Sequence, residues 1–182
     1  FWGVRKEAVQ GFASLKSKQY SEMLMNLSEG QDNRERRAIW NALRNYKNND
    51  DVSTFLQNVV STDSKYYSVS DAFRALVAVD TAAARKKVDA LLIRDSHQDV
   101  IRSSAISFFG SVKSDKNYNR LKELASYGGT TWDARPEAVS QLSRYAKEKR
   151  ETIDIFVNLL EDRSRDVRRR AIYALASHGD KT

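Results

Sequence analysis

Apolar residues recur along the chain at steps of three and four, the interval that gathers side chains on one face of an α-helix. One such stripe carries a small marker residue, Ala8, Ala38, Ala72, Ala105, Ala138 and Ala171, at spacings of 30, 34, 33, 33 and 33. Each marker is followed at once by Val9, Ile39, Phe73, Ile106, Val139 or Ile172, and four positions on by Phe12, Ala42, Leu76, Phe109, Leu142 or Leu175. A second stripe lies between the markers: Tyr20/Met23/Leu24/Leu27, Val52/Phe55/Leu56/Val59, Val88/Leu91/Leu92, Tyr118/Leu121/Leu124 and Ile153/Phe156/Val157/Leu160. Each unit of about 33 residues is therefore a pair of helices. Neither helix has enough apolar face to be stable alone, so successive pairs must stack.

The breaks between stripes carry turn residues: Lys47-Asn48-Asn49-Asp50, Ser61-Thr62-Asp63-Ser64, Gly128-Gly129 and His178-Gly179-Asp180. Asn, Asp and Ser cap helix starts, and Gly ends helices by entering conformations closed to other residues. Pro136 falls in the opening turn of its helix, where its missing N–H costs little.

Composition narrows the picture further. With one Pro, seven Gly and no Cys in 182 residues, the chain favours helices and excludes a disulfide framework, Cys-ligated zinc, iron–sulfur clusters and thiol catalysis. No apolar run approaches the ~18 residues needed to cross a bilayer, so no membrane span is expected. The compartment stays open.

Phe1-Trp2-Gly3-Val4-Arg5-Lys6-Glu7-Ala8-Val9, Asp99-Val100-Ile101-Arg102-Ser103-Ser104-Ala105 and Asp166-Val167-Arg168-Arg169-Arg170-Ala171-Ile172 resemble the second helix of HEAT repeats, which reads D-x-x-V-R-x-x-A. That resemblance implies an all-α, right-handed α-α superhelix of about five and a half helix pairs, in a single domain over residues 1–182. It also implies a ladder of Asp and Arg between successive repeats. Two units depart from the pattern. Arg34-Glu35-Arg36-Arg37-Ala38 has no Val-Arg, and Tyr67-Ser68-Val69-Ser70-Asp71-Ala72 has no Arg, which puts the ladder in question there. Phe1 already lies within the second helix of a pair, so the sequence reads as a C-terminal piece of a longer chain.

Candidate chemistry is sparse. His97 and His178 stand far apart, and neither belongs to H-E-x-x-H, so no zinc site is expected within the chain. No G-x-S-x-G elbow or phosphate loop is present. Gly128-Gly129-Thr130-Thr131 reads as a helix stop, and Asp50-Asp51, Glu161-Asp162 and Asp133 read as acids at helix starts. The charge of +7 has more to offer. Arg34, Arg36, Arg37, Arg44, Arg102, Arg135, Arg144, Arg168, Arg169 and Arg170 lie on the marker helices with Trp2, Trp40 and Trp132. Several of these arginines already have a ladder role, and Trp2 and Trp132, both six before a marker, read as packing between repeats.

The opening segment is also similar to the HEAT-type C-terminal region that follows the catalytic domain in bacterial zinc aminopeptidases of the aminopeptidase N-like family. The resemblance implies a non-catalytic domain that caps the active site and shapes substrate access. Its partners would be its own upstream catalytic domain or another protein or peptide. Zinc would belong to that catalytic domain, and no cofactor is expected in this chain. The residues expected on a binding face are Arg37, Arg102, Trp132, Arg135 and Arg168. Two other readings stand beside it. One is a basic HEAT-like nucleic-acid binder resembling the DNA alkylation-repair glycosylases, with Trp132, Asp133 and Arg135 as its centre. The other is a scaffold for a protein partner.

Overall fold

A computed structural model of the chain describes residues 2–15, 17–29 and 32–178. The described residues hold eleven α-helices and no strand. They are α1 (Trp2–Leu15), α2 (Lys18–Leu27), α3 (Asn33–Leu43), α4 (Asp50–Thr62), α5 (Tyr66–Val79), α6 (Thr81–Leu92), α7 (Val100–Ser111), α8 (Asp115–Ala125), α9 (Arg135–Leu142), α10 (Glu151–Leu159) and α11 (Arg165–His178). Short 3-10 turns occupy His97–Asp99 and Ser143–Tyr145. Every apolar stripe read from the sequence falls on one of these helices, so the chain is all-α. None of the helices is long and apolar enough to cross a membrane.

Helix starts follow the turn chemistry. Asp32 accepts from the N–H groups of Arg34 and Glu35, Asn49 from Val52, Asp80 from Ala83 and Ser114 from Asn117. These are N–H groups that a helix cannot satisfy internally. Asp133 departs from expectation: the residue before α9 is Ala134, whose side chain cannot cap, and Asp133 is exposed one position earlier. The stop at Gly128-Gly129 is present. Gly128 has φ +79°, and a Cβ on Gly129 would lie 1.8 Å from the Glu123 carbonyl oxygen, so only glycine fits. The expected turn at Gly179 and Asp180 lies outside the described residues.

The helices group into two compact units, residues 1–104 and 105–182, with the division inside α7. In the first unit α1, α3 and α5 pack in succession, as do α2, α4 and α6, and the α2–α3 and α4–α5 hairpins join the two layers. Leu24, Ile39, Leu43, Leu56, Phe73 and Leu76 fill the space between them. Burying such side chains stabilises by about 1.5–3 kcal/mol each. In the second unit α8 packs on α9, α10 on α11, and α9 against α11. Tyr118 of α8 and Thr152 of α10 share a buried hydroxyl–hydroxyl bond of 3.0 Å.

The marker alanines do not behave uniformly. Ala72, Ala105, Ala138 and Ala171 are fully buried, as a close helix contact requires. Ala38 is half-buried and Ala8 exposed. No described helix precedes α1 to cover Ala8.

Candidate functional site

The ladder arginines are structural first. Arg135 opens α9, and its guanidinium is buried. Its Nε donates to the carbonyl of Ala125, the last residue of α8, at 2.7 Å, and its two terminal nitrogens grip the Asp162 carboxylate in the turn between α10 and α11. A helix end leaves carbonyls without partners and carries partial negative charge, so a cation there serves both needs. Arg102 repeats the helix-end contact in the first unit but takes its carboxylates from the turn before its own helix. Its Nε donates to Leu92, the last residue of α6, at 2.6 Å, and its terminal nitrogens pair with Asp95 and Asp99.

Where the sequence pattern lapses, other residues take over. Arg36 stands one position later than Arg135 does relative to its marker, yet it pairs with Asp63 across the same 27-residue interval as Arg135 with Asp162. Asp63 also accepts from Ser68, whose hydroxyl in turn receives the Trp40 indole N–H at 2.8 Å. Trp40 is fully buried beneath the Arg36 guanidinium. Val69 occupies the position of the missing arginine and is buried. The end of α4 is held instead by Arg94, which donates to the carbonyls of Val60 and Asp63 at 2.9 and 2.6 Å.

Both turn carboxylates have lowered pKa values for parallel reasons. Burial alone would raise Asp162, but the hydrogen bond from Arg135, the Ser164 N–H and the charges of Arg135 and Arg168 outweigh it. Burial likewise opposes ionisation at Asp63, and the Lys65 N–H, Ser68 and Arg36 prevail.

These contacts redraw the expected binding face. Arg102 and Arg135 are buried and committed to carboxylates and carbonyls, so they cannot meet a ligand without dismantling helix ends. Arg37 is half-exposed, pairs with Asp71 and lies 5.0 Å from the Tyr67 ring centre. Arg168 is half-buried and donates to the carbonyls of Asp162 and Arg163. Trp132 is 55% exposed in the turn before α9, not packed as expected. The Trp2 side chain lies outside the described part of the structure. Arg135 and Arg168 meet around Asp162; Arg37, on α3, pairs with Asp71 of α5, and Arg102, on α7, pairs with Asp95 and Asp99, so these two are not brought together. Of the residues expected at a nucleic-acid centre, Trp132 and Asp133 are exposed, whereas Arg135 is buried in its clamp.

A different set of cations is exposed. In the second unit an open groove of about 760 Å³ is bordered by Ser111, Lys113, Arg144, Lys147, Glu148 and His178. Arg144 donates weakly to Ser111 at 3.4 Å, and Lys113 pairs with Glu148 at 2.5 Å. In the first unit a depression of about 370 Å³ is bordered by Asn41, Arg44, Asn45 and Lys47. Arg44 and Lys47 follow Ala38 by six and nine positions, and Arg144 and Lys147 follow Ala138 by the same intervals. All four side chains are exposed, and among the described residues none is ion-paired to a carboxylate.

A buried tyrosine sits between the two cations in each case. The Tyr46 hydroxyl donates to the Phe12 carbonyl at 3.0 Å, and the Tyr145 hydroxyl donates to the Phe109 carbonyl at 2.7 Å. Phe12 and Phe109 each stand four positions after a marker alanine. Each tyrosine therefore ties the end of one marker helix to the segment following the next, and fixes the backbone from which the cations project. The sequence held a signal for this arrangement: a lysine eight or nine positions after four of the markers, at Lys16, Lys47, Lys113 and Lys147. Lys16 lies outside the described residues.

Helices packed on their neighbours and held at their ends by arginine and tyrosine define an all-α fold of helical hairpins. No protein-family model matches the chain, and no curated protein matches it. Among the described residues, no group of three or more His, Asp or Glu is placed to hold a metal ion.

Proposed function

We propose that residues 1–182 form a non-catalytic HEAT-like module of a zinc metallopeptidase of the aminopeptidase N-like type, and that the module supplies binding surface to that enzyme. The resemblance of the opening segment, residues 1–8, supports the family, the segments at 99–105 and 166–172 support the HEAT-like character, and the stacked hairpins with their Arg and Asp clamps are compatible with both. The binding role is carried by one observation: the exposed Arg44/Lys47 and Arg144/Lys147 pairs, each set by a buried tyrosine and bordering an open depression. Exposed cations interact weakly one at a time, roughly 0–1 kcal/mol per ion pair. A ligand bearing adjacent carboxylates engages both cations of one pair and gains from the high local concentration of the second contact. The fitting partner is an acidic polypeptide, either a peptide substrate or an acidic face of the catalytic domain.

Two measurements test this. Reading the coding sequence upstream of Phe1 should reveal H-E-x-x-H and a distant Glu; a frame that opens immediately before Phe1 would refute the peptidase assignment. A fluorescein-labelled deca-glutamate peptide should bind at low salt and lose at least tenfold in affinity when Arg44, Lys47, Arg144 and Lys147 are all changed to Ser. Equal binding by the parent and the variant would remove these pairs as the binding surface.

A further inference from the structure

The position after each marker alanine is buried in five of six repeats: Val9, Ile39, Phe73, Ile106 and Val139 are all at or below 7% exposure, whereas Ile172 is 54% exposed. One helical turn before Ile172, on the same face of α11, stands Arg168. The equivalent pair on α9 is Arg135 and Val139. There the arginine grips Asp162 in the turn of the α10–α11 hairpin, and α11 packs against α9. Arg168 has no such acceptor. Among the described residues it bonds only to two carbonyls, and the Asp162 carboxylate, which Arg135 occupies, feels its charge without pairing to it. Around it Arg165, Arg169 and Arg170 are exposed against one exposed acid of the same helix, Asp166.

We propose that the Arg168/Ile172 face of α11 is a docking surface for a further helical hairpin, stacked in repeat register, with a carboxylate in its turn to receive Arg168 and an apolar face to cover Ile172. The occupant is a partner segment outside residues 1–182, acidic where it meets α11. This inference does not depend on the peptidase reading. Its grounds are the one vacant position in a series otherwise filled and the unmatched positive charge beside it. An apolar face alone would not choose among occupants, but an arginine whose counterpart Arg135 takes the turn carboxylate of the following hairpin selects for an acid.

The test is to append a second copy of residues 146–178 directly after His178. The copied Asp162 then follows Arg168 by 27 residues, the interval between Arg135 and Asp162. Relative to the unextended chain, the melting temperature should rise by about 4 °C or more, and amide exchange in α11 should slow at least tenfold. Both gains should shrink when Arg168→Gln, or Asp162→Asn in the appended copy, is introduced. Unchanged exchange in α11 overturns the proposal, whether or not the added repeat folds, and so does a gain insensitive to Arg168→Gln. Sedimentation of the unextended chain provides the second arm. A dimer abolished by Ile172→Asp would make a second copy the occupant and would equally overturn the proposal, whereas a monomer agrees with it.

Discussion

Asp63 and Asp162 occupy the same place in two different units, nine positions before a marker alanine, in the turn between the helices of a hairpin. Both receive an arginine from 27 residues earlier, yet the surroundings differ. At Asp162 the arginine is 3% exposed and doubly bonded, and it also closes the end of α8. At Asp63 the arginine is 24% exposed and closes no helix end, the carbonyls around the end of α4 are held by Arg94, and the carboxylate recruits Ser68 and, through it, Trp40. One site takes both of its side-chain hydrogen bonds from a single buried arginine, with Arg168 holding the backbone beside it. The other distributes its contacts over four side chains, and each carries less.

The sharpest way to separate the two units is at the marker itself. Ala138→Arg forces a charged chain into a fully closed helix contact and should cost more than about 4 kcal/mol, leaving little folded protein. Ala8→Arg, at an exposed position, should fall within about 0.5 kcal/mol of the parent. Urea denaturation followed by circular dichroism reads both; equal losses would mean that the markers are equivalent after all.

Next come the arginines. Arg135→Ala leaves Asp162 buried without its partner and the Ala125 carbonyl uncapped, and should cost about 3–5 kcal/mol. Arg36→Ala leaves Asp63 with Ser68 and the Lys65 N–H, so the loss should be smaller, about 1.5–3 kcal/mol, the range for a hydrogen bond to a charged group. An Arg36 loss as large as that of Arg135 would contradict the distributed character of the first site.

Much of this was legible in the sequence and some was not, for identifiable reasons. The helices follow from periodicity, because covering an apolar stripe is the main force that orders them. The clamps at Arg102 and Arg135 follow from the repeat pattern. The clamp at Asp63 could not be found that way: Arg36 is displaced by one position, and Arg94 reaches back 34 residues from a loop to bond Val60. A side chain as long as arginine lets its backbone shift while its head group stays on target, so residue register predicts short side chains better than long ones. The same reach misled the choice of binding residues. Arginines that recur in register are those the fold consumes, and the exposed cations at Arg44, Lys47, Arg144 and Lys147 lie beyond the pattern.

Acid should expose both carboxylates. Their pKa values are lowered on folding from an ordinary 3.8, so between the folded value and 3.8 the unfolded chain binds more protons than the folded one. The stabilisation they provide is complete above the unfolded value and is lost as pH falls through the folded one. The urea midpoint should therefore hold from pH 7 to about 5 and decline below about 4. Asp162→Asn and Asp63→Asn should each flatten that decline, since each removes one group that takes up a proton on unfolding. A decline of unchanged steepness in the double variant would place the acid sensitivity elsewhere, with Asp80 and Asp32 the next groups to examine because their carboxylates are also lowered by helix-start N–H groups.

The smallest effect concerns the tyrosines, and it bears on the basic depressions directly. Tyr46→Phe and Tyr145→Phe keep the ring and delete one hydroxyl, leaving the Phe12 or Phe109 carbonyl without that donor. Each should cost about 0.5–1.5 kcal/mol, the usual net worth of a hydrogen bond. The Tyr145 change should be the larger. Its hydroxyl also accepts from the Ser114 N–H at 3.4 Å, and its ring lies tilted against that of the buried Tyr118, centroids 5.3 Å apart. Stability is only half of the readout. If the tyrosines set the backbone from which Arg44/Lys47 and Arg144/Lys147 project, then Tyr145→Phe weakens deca-glutamate binding at temperatures where the variant is still fully folded. If binding is untouched while stability falls, the hydroxyls brace the stack of helices and the cations find their ligand without them.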